Sequence, residues 1–435
     1  MNKQALISCW IASVTLAATA HCAVLAEENT QQIPSTATTT MENIEQTQPT
    51  PAKAEDDAEH THPSPDRATE TTDQALPATA APEDQTEHIH PAPTDTVGTH
   101  LHHGHGAKGW MFEYRLMNML MKGNIIGTNN ISVPTLTQKA DPSGLNAGTS
   151  GFMMAGTKMS MQMHMLMGMH SLGENTTAML MFNYLQNTMD MVTNDNREST
   201  MVTAGTGDTL IGVMYQANPR VNTAISLSLP TGSIEEKVKM VMPLGGTHNT
   251  RAPYQLQLGS GTFDVLPSIT YAAKVNHLAW KTQATYTYHL GRNSEGYAFG
   301  DKIEWDNSLH FNFSKKLSTL LRGKFLWQDK IGGEDSRILQ KMSAPTAPVA
   351  GAPPVGDHGD HGDGGSGSGP QSLTSPDTAP NGQGGAEFDL LWGMTFLPLK
   401  NHLLGFEIGI PVYQNLNGPQ MNTHLLINFS YQAVF

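Results

Sequence analysis

The sequence predicts an all-β chain: an antiparallel transmembrane β-barrel of about twelve strands behind a disordered N-terminal tail. Three observations predict it. The chain stops on an aromatic, Phe435, at the end of a two-faced strand. Upstream, from Gly109 onward, segments that alternate apolar and polar residues recur. The connections between those segments alternate long and short.

In the closing segment, Leu425, Ile427, Phe429, Tyr431 and Ala433 share one face, and Leu426, Asn428, Ser430 and Gln432 share the other. Successive side chains on a strand point to opposite sides, so one side is greasy and the other mainly polar. A terminal aromatic on such a strand resembles the closing strand of bacterial outer-membrane barrels, the address their assembly machinery reads. Outer-membrane lipid and that machinery are therefore expected partners.

Composition narrows the alternatives. The net charge of −14 argues against nucleic acid as a partner, because phosphate binding needs basic patches. Both cysteines, Cys9 and Cys22, lie at the N-terminus, which excludes a disulfide framework. Beyond the N-terminus no apolar run reaches the roughly 18 residues of a membrane-spanning helix. A strand barrel escapes that test because its lipid-facing and lumen-facing residues alternate.

Residues 1–26 read as a secretory signal, with Lys3 as the positive end and Ala5–Ala18 as the apolar core. Residues 27–108 are low in aromatics and rich in Thr, Ala, Pro, Glu and Asp, too polar to offset the entropy of ordering. They are expected to form a disordered periplasmic tail. His60, His62, His88, His90, His100, His102, His103 and His105 punctuate it, and imidazole binds copper and zinc.

The barrel is expected over 109–435, with strands at Trp110–Met121, Met153–Met169, Thr177–Leu185, Asp208–Gln216, Val221–Leu229, Thr262–Tyr271, Leu278–Leu290, Lys302–Phe313, Thr319–Gln328, Ala386–Phe396, Leu403–Tyr413 and Asn422–Phe435. Lys122–Phe152, Gln186–Gly207, Pro230–Gly261 and Asp329–Gly385 are long connections, and Gly291–Asp301 is intermediate. His170–Thr176, Ala217–Arg220, Ala272–His277, Ser314–Ser318 and Leu397–His402 are short. Tight periplasmic turns and longer external loops give barrels this asymmetry, and an even strand count leaves both chain ends in the periplasm. Asp329–Gly385, rich in Pro, Gly and Ser, is expected to be a flexible external segment rather than a plug. Asp357, His358, Asp360, His361 and Asp363 within it form one irregular acidic copy of a cation-binding spacing.

The polar faces of these strands carry both signs of charge: Glu113, Arg115, Asp208, Asp264, Lys281, Lys302, Glu304, Asp306, Arg322, Lys324, Glu387, Asp389 and Glu407. In a bilayer such groups persist only facing water or one another, so they are the candidate lumen lining. Trp110, Trp280, Trp305, Trp327 and Trp392 fall on outward positions and suit the membrane interfaces.

Met159, Met161, Met163, Met165, Met167 and Met169 occupy every second position of one segment. Lys158, Ser160, Gln162, His164 and His170 share the opposite side, which reads as lumen and would turn the stripe toward lipid. Met117, Met119 and Met121 instead share parity with Glu113 and Arg115, and Met179 and Met181 with Asn183, so these five should point inward. Thioethers are soft ligands suited to Cu(I). Candidate metal ligands are thus Met117, Met119, Met121, Met161, Met163, His164 and Met165, with His100, His102, His103 and His105 of the tail. No cofactor is expected beyond such copper or zinc. No nucleophile elbow, zinc-protease motif or phosphate loop occurs, and the chain is not expected to be an enzyme.

Four segments carry a family likeness: LPTGS at Leu229–Ser233, QLGSGTFD at Gln257–Asp264, GRNSEGYAFGD at Gly291–Asp301 and GIPVYQNLNGPQ at Gly409–Gln420. They resemble the outer-membrane transporter family named for the meta-pathway of phenol degradation, over about Gly109 to Phe435. The resemblance implies a barrel channel for a small solute, hydrophobic or aromatic by the family's label. The motif glycines, prolines and aspartates sit at strand–loop junctions, where they serve turns. The expected function is therefore an outer-membrane channel for a small solute. A copper-handling barrel and a structural or adhesive barrel are the alternatives.

Overall fold

The computed structural model describes residues 109–139, 143–145, 151–243, 245–338, 341–343 and 371–435. The signal and tail expected over 1–108, including all its histidines, lie outside the described residues, as does the acidic copy around His358 and His361. In chain order the strands are β1 (Trp110–Gly127), β2 (Asn129–Ile131), β3 (Met154–Ser171), β4 (Thr176–Thr193), β5 (Glu198–Thr206), β6 (Thr209–Asn218), β7 (Val221–Leu229), β8 (Lys237–Val241) and β9 (Thr247–Arg251). They continue with β10 (Phe263–Val275), β11 (Leu278–Leu290), β12 (Tyr297–Ala298), β13 (Lys302–Asn312), β14 (Leu317–Gln328), β15 (Gly332–Gly333), β16 (Lys341–Ser343), β17 (Gln371–Leu373), β18 (Gly385–Leu399) and β19 (His402–Val434). One short helix, α1 (Val133–Gln138), is started by Ser132, whose hydroxyl accepts from the Thr135 amide at 3.4 Å.

β1, β3, β4, β6, β7, β10, β11, β13, β14, β18 and β19 pair in that order, each antiparallel to its neighbour, and β19 returns to pair with β1. These eleven strand segments close a barrel, with β2 and β5 paired outside the ring. The last segment is unusual. Drawn straight, its 33 residues would span on the order of 110 Å. Yet the Val434 amide donates to the Asn401 carbonyl at 3.0 Å, and Asn428 Nδ2 donates to Glu407 Oε2 at 3.1 Å. β19 is therefore folded back on itself near Asn417–Pro419. Its first half pairs with β18 and its second with β1, so the eleven segments supply the twelve staves that the alternation predicts. Closure leaves no unpaired edge, the condition for strands to stand in lipid.

The outer surface is apolar. Trp110, Phe112, Leu166, Phe182, Tyr215, Ile225, Ile269, Tyr288, Trp305, Trp327, Trp392, Ile410 and Phe429 are all exposed, while their sequence neighbours on the same strands are buried or half-buried. The period-2 pattern thus turns one set outward and the other into the barrel. Among the described residues no helix is long and apolar enough to cross a membrane.

The short turns close at the end of the barrel where β1 begins and β19 ends, with the Phe435 amide donating to the Trp110 carbonyl at 2.8 Å. Two are two-residue hairpins in which an asparagine takes the left-handed conformation, Asn276 at φ 54° and Asn401 at φ 65°. Asparagine tolerates that conformation better than other residues with a Cβ, and it suits the twist of paired strands.

The long connections hold more structure than expected. Gln186–Gly207 is not a loop: β4 runs on to Thr193 and β5 returns beside it, Thr188 opposite Val202 and Met189 opposite Met201. The polar run Gln186–Thr188 simply marks where the strand leaves the apolar band. Pro230–Gly261 contains the β8–β9 hairpin, and Lys122–Phe152 contains the end of β1, β2 and α1. The returning part of Asp329–Gly385 is tucked in, not a free external segment. Residues 373–380 are all buried, the Thr374 carbonyl accepts from the Met154 amide at 3.0 Å, and Gln420 Nε2 donates to the Gly384 carbonyl at 2.7 Å. Pro376 and Pro380 each begin a 3₁₀ turn, which compacts this stretch without further backbone partners.

Burial raises the Asp377 carboxyl in this segment to about 7. A raised carboxylate stabilises the docked segment fully below its ordinary value of 3.8, and that stability is lost as pH rises through about 7. Amide hydrogen exchange over 371–384 is therefore expected to quicken, after correction for intrinsic rates, between pH 5 and pH 8. In Asp377→Asn that dependence should vanish. An unchanged pH profile in the variant would contradict the assignment.

Candidate functional site

The barrel interior has two walls of different chemistry. The first is built by β1, β3 and β4. Their register places Met111 opposite Met169 and Met169 opposite Met179; Met117 faces Met163, Met119 faces Met161, and Met121 faces Met159, which faces Met189. Glu113 and Arg115 stand on the same face, paired with each other and opposite Met167 and Met165. The thioethers gather in two clusters. Toward the short turns, all five buried members of one cluster are methionines: Met111, Met167, Met169, Met179 and Met214. Toward the long connections, eight of eleven are, including Met154, Met159, Met189, Met191, Met201 and Met421.

This corrects the expectation that the stripe of β3 faces lipid. Met165, Met167 and Met169 are 8%, 2% and 1% exposed, whereas Leu166 between them is 55% exposed. The polar residues opposite the stripe misled for two reasons. His164 and His170 lie outside the barrel but are screened: Tyr114 OH bonds His164 Nδ1 at 2.8 Å, and the His170 ring stacks on Trp110 at 4.4 Å. Gln162 and Ser160 stand in rows with Asn118 and Gln186, and with Leu120 and Thr188, where the strands rise past the apolar band. His164 is thus on the opposite face from the methionines and is not grouped with them.

The second wall is built by β10, β11, β13, β14, β18 and β19. Here Asp264, Glu304, Asp306, Glu387, Asp389 and Glu407 face inward against Lys281, Lys302, Arg322 and Lys324, six carboxylates to four cations. Arg322 pairs with Glu407 through one nitrogen and lies 3.5 Å from Asp306 through the other. Glu304 lies 3.0 Å from both Lys302 and Lys324. Asp264 bonds His289 Nδ1 and the Thr262 hydroxyl at 2.7 and 2.6 Å. Buried charges hold this state only when paired and hydrogen-bonded.

Between the walls and below the long connections lies a cavity of about 530 Å³. Met119, Met121, Met161 and Met163 line one side, Lys302 and Glu387 another, and Tyr254, Gln255, Ser260 and Gln383 the roof. Asp208 ties that roof together: it accepts from the Gly232 amide at 2.9 Å and the Ser260 amide at 2.7 Å. Burial raises its carboxyl above the usual range, and the two amides work against that shift. Gly232 and Gly259 touch here. A Cβ on Gly259 would sit 2.6 Å from Asp208 Oδ1, so only glycine fits.

The motif residues meet around this lock. Leu258 and Gly259 donate to the Ser233 carbonyl, Asn293 Nδ2 donates to the Ser260 carbonyl at 3.0 Å, and Asn417 Nδ2 donates to the Gln383 carbonyl at 3.0 Å. Beside it, buried Arg251 lies 3.7 Å from Asp335 and 3.8 Å from Glu295. Sequence reading missed this second lock, because its members are far apart in the chain and only the packed loops join them. It also missed Met189, Met191 and Met201, which lie on stretches read as loop.

Among the described residues no group of three or more His, Cys, Asp or Glu is placed to hold a metal ion.

No family model and no curated protein matches the chain, so the phenol meta-pathway resemblance rests on the four motifs alone. Solved structures with a similar course include an outer membrane channel from Pseudomonas putida F1, at 11% identity and TM-score 0.46 over 75% of this chain and 96% of that one. The P. putida toluene transporter TodX matches at 7% identity and TM-score 0.37, over 76% and 91%. The translocator domain of the autotransporter NalP from Neisseria meningitidis matches at 8% and 0.37, over 75% and 88%. The barrel assignment stands on the chain's own strand pairing.

Proposed function

We propose that this chain is an outer-membrane channel that passes a small solute through its lumen, with transport rather than catalysis as its work. One observation carries the proposal: a closed wall, apolar outside, surrounds a cavity of about 530 Å³ lined by thioethers and paired charges. Such a cavity is in the size range that holds small molecules. A hydrophobic or aromatic solute suits the methionine side, as the motif resemblance implies. The terminal Phe435 serves the assembly machinery, and the tail and both chain ends lie in the periplasm.

The purified barrel reconstituted in a planar bilayer is expected to show discrete conductance steps. Its liposomes should swell in small, uncharged solutes. A barrel that is folded yet silent in both assays would overturn the channel and favour the structural or adhesive alternative.

A further inference from the structure

We infer that the channel also carries a soft monovalent metal cation, Cu(I) or Ag(I), along the methionine wall; this rests on the channel reading above. Three features converge on it.

The first is segregation. From Met159 onward in β3, and throughout β1 and β4, every methionine falls on the inward face. Outward positions of the same strands that need an apolar residue use Leu166, Leu180, Phe182 and Leu120 instead. Packing alone gives no reason for that split. Leucine fills an apolar space as well and loses less rotamer freedom. On these three strands, sulfur is what the inward face has and the outward face lacks.

The second is register. Same-face neighbours across paired strands stand about 5 Å apart, and those along a strand about 7 Å apart. Met111, Met169 and Met179 form one cross-strand row, and Met121, Met159 and Met189 another. Between them Met117 faces Met163 and Met119 faces Met161. Each thioether therefore has others within the reach of one flexible side chain, as a two- or three-sulfur set requires. The rows recur along the barrel axis with one break, at Arg115, whose charge Glu113 balances; Met165 and Met167 of β3 continue the path past it. Thioethers are neutral and soft, so they hold Cu(I) without holding Mg²⁺ or Ca²⁺.

The third is charge. The shared cavity is lined by Asp208, Asp329 and Glu387 against one cation, Lys302, which favours a cation and disfavours an anion there.

The test uses the full barrel in liposomes that contain a membrane-impermeant Cu(I) chelator. Cu(I) is supplied outside with ascorbate to keep it reduced. The variant is Met111→Leu/Met169→Leu/Met179→Leu, one whole cross-strand row outside the cavity lining and a volume-conserving change that spares the fold. Folding is confirmed by the mobility shift of unheated barrel on a gel. Wild type is expected to deliver Cu(I), and the variant to deliver at least tenfold less while its swelling in uncharged solutes stays within twofold of wild type. Undiminished Cu(I) delivery by the variant would overturn the proposal. So would a wild type that passes uncharged solutes but no Cu(I), which leaves the channel itself standing. A barrel that passes neither overturns both.

Discussion

Replacing Arg322 by leucine is expected to destabilise the barrel by about 3–5 kcal/mol, the cost of breaking a buried pair from one side. Arg322 is 5% exposed and Glu407 is fully buried, and Asp306 shares the same guanidinium. The leucine would leave two carboxylates without the guanidinium that stands between them. Asn428 would still donate to Glu407, but one amide does not replace a charge. Adding Glu407→Gln to Arg322→Leu removes one of the stranded charges and should restore a substantial part of the loss. Urea unfolding followed by tryptophan fluorescence in lipid vesicles measures both. Equal stability of the single and double variants would show that the network contributes little.

The second large effect lies on the outer surface. Ile269 stands midway along β10 and is 53% exposed, while Val275 on the same strand adjoins the Asn276–His277 turn and is 45% exposed. Exposure alone would treat them alike. If the outer face is in lipid, Ile269→Arg should cost about 2–4 kcal/mol and Val275→Arg no more than about 1, because the penalty falls toward the interface. The same unfolding assay in vesicles separates them. Equal costs for the two would place that surface in water.

Much of this fold is legible in the sequence, because a barrel writes itself as a period of two with punctuation. All twelve expected staves have counterparts, and Asn276 and Asn401 sit at turns the spacing marks. What failed did so for physical reasons. The β4–β5 hairpin rises past the apolar band, so its outward side is polar and it reads as loop. The orientation of β3 was misjudged because polarity was read from one strand alone. His164 and His170 are covered by Tyr114 and Trp110 of β1, a relation set by register, which no local pattern encodes. The parity of Met117, Met119 and Met121 with Glu113 held the right answer, since a neighbouring strand must present the same chemistry to the same space. The roof around Asp208 and Arg251 was not legible, being assembled from loops far apart in the chain, as Arg251 is from Asp335 and Gln255 from Gln383.

The inward methionine wall is the claim on which the rest depends, and site-directed accessibility tests it most directly. Met163→Cys and Leu166→Cys, made singly in a background with Cys9 and Cys22 removed, are reconstituted in lipid vesicles. A small water-soluble thiol reagent is expected to modify the cysteine at 163 and spare the one at 166. A fluorophore at 166, attached before reconstitution, should be quenched by bromine-labelled lipid chains, and one at 163 should not. The reverse pattern would put the thioethers against lipid and contradict both the lumen described above and the path proposed through it.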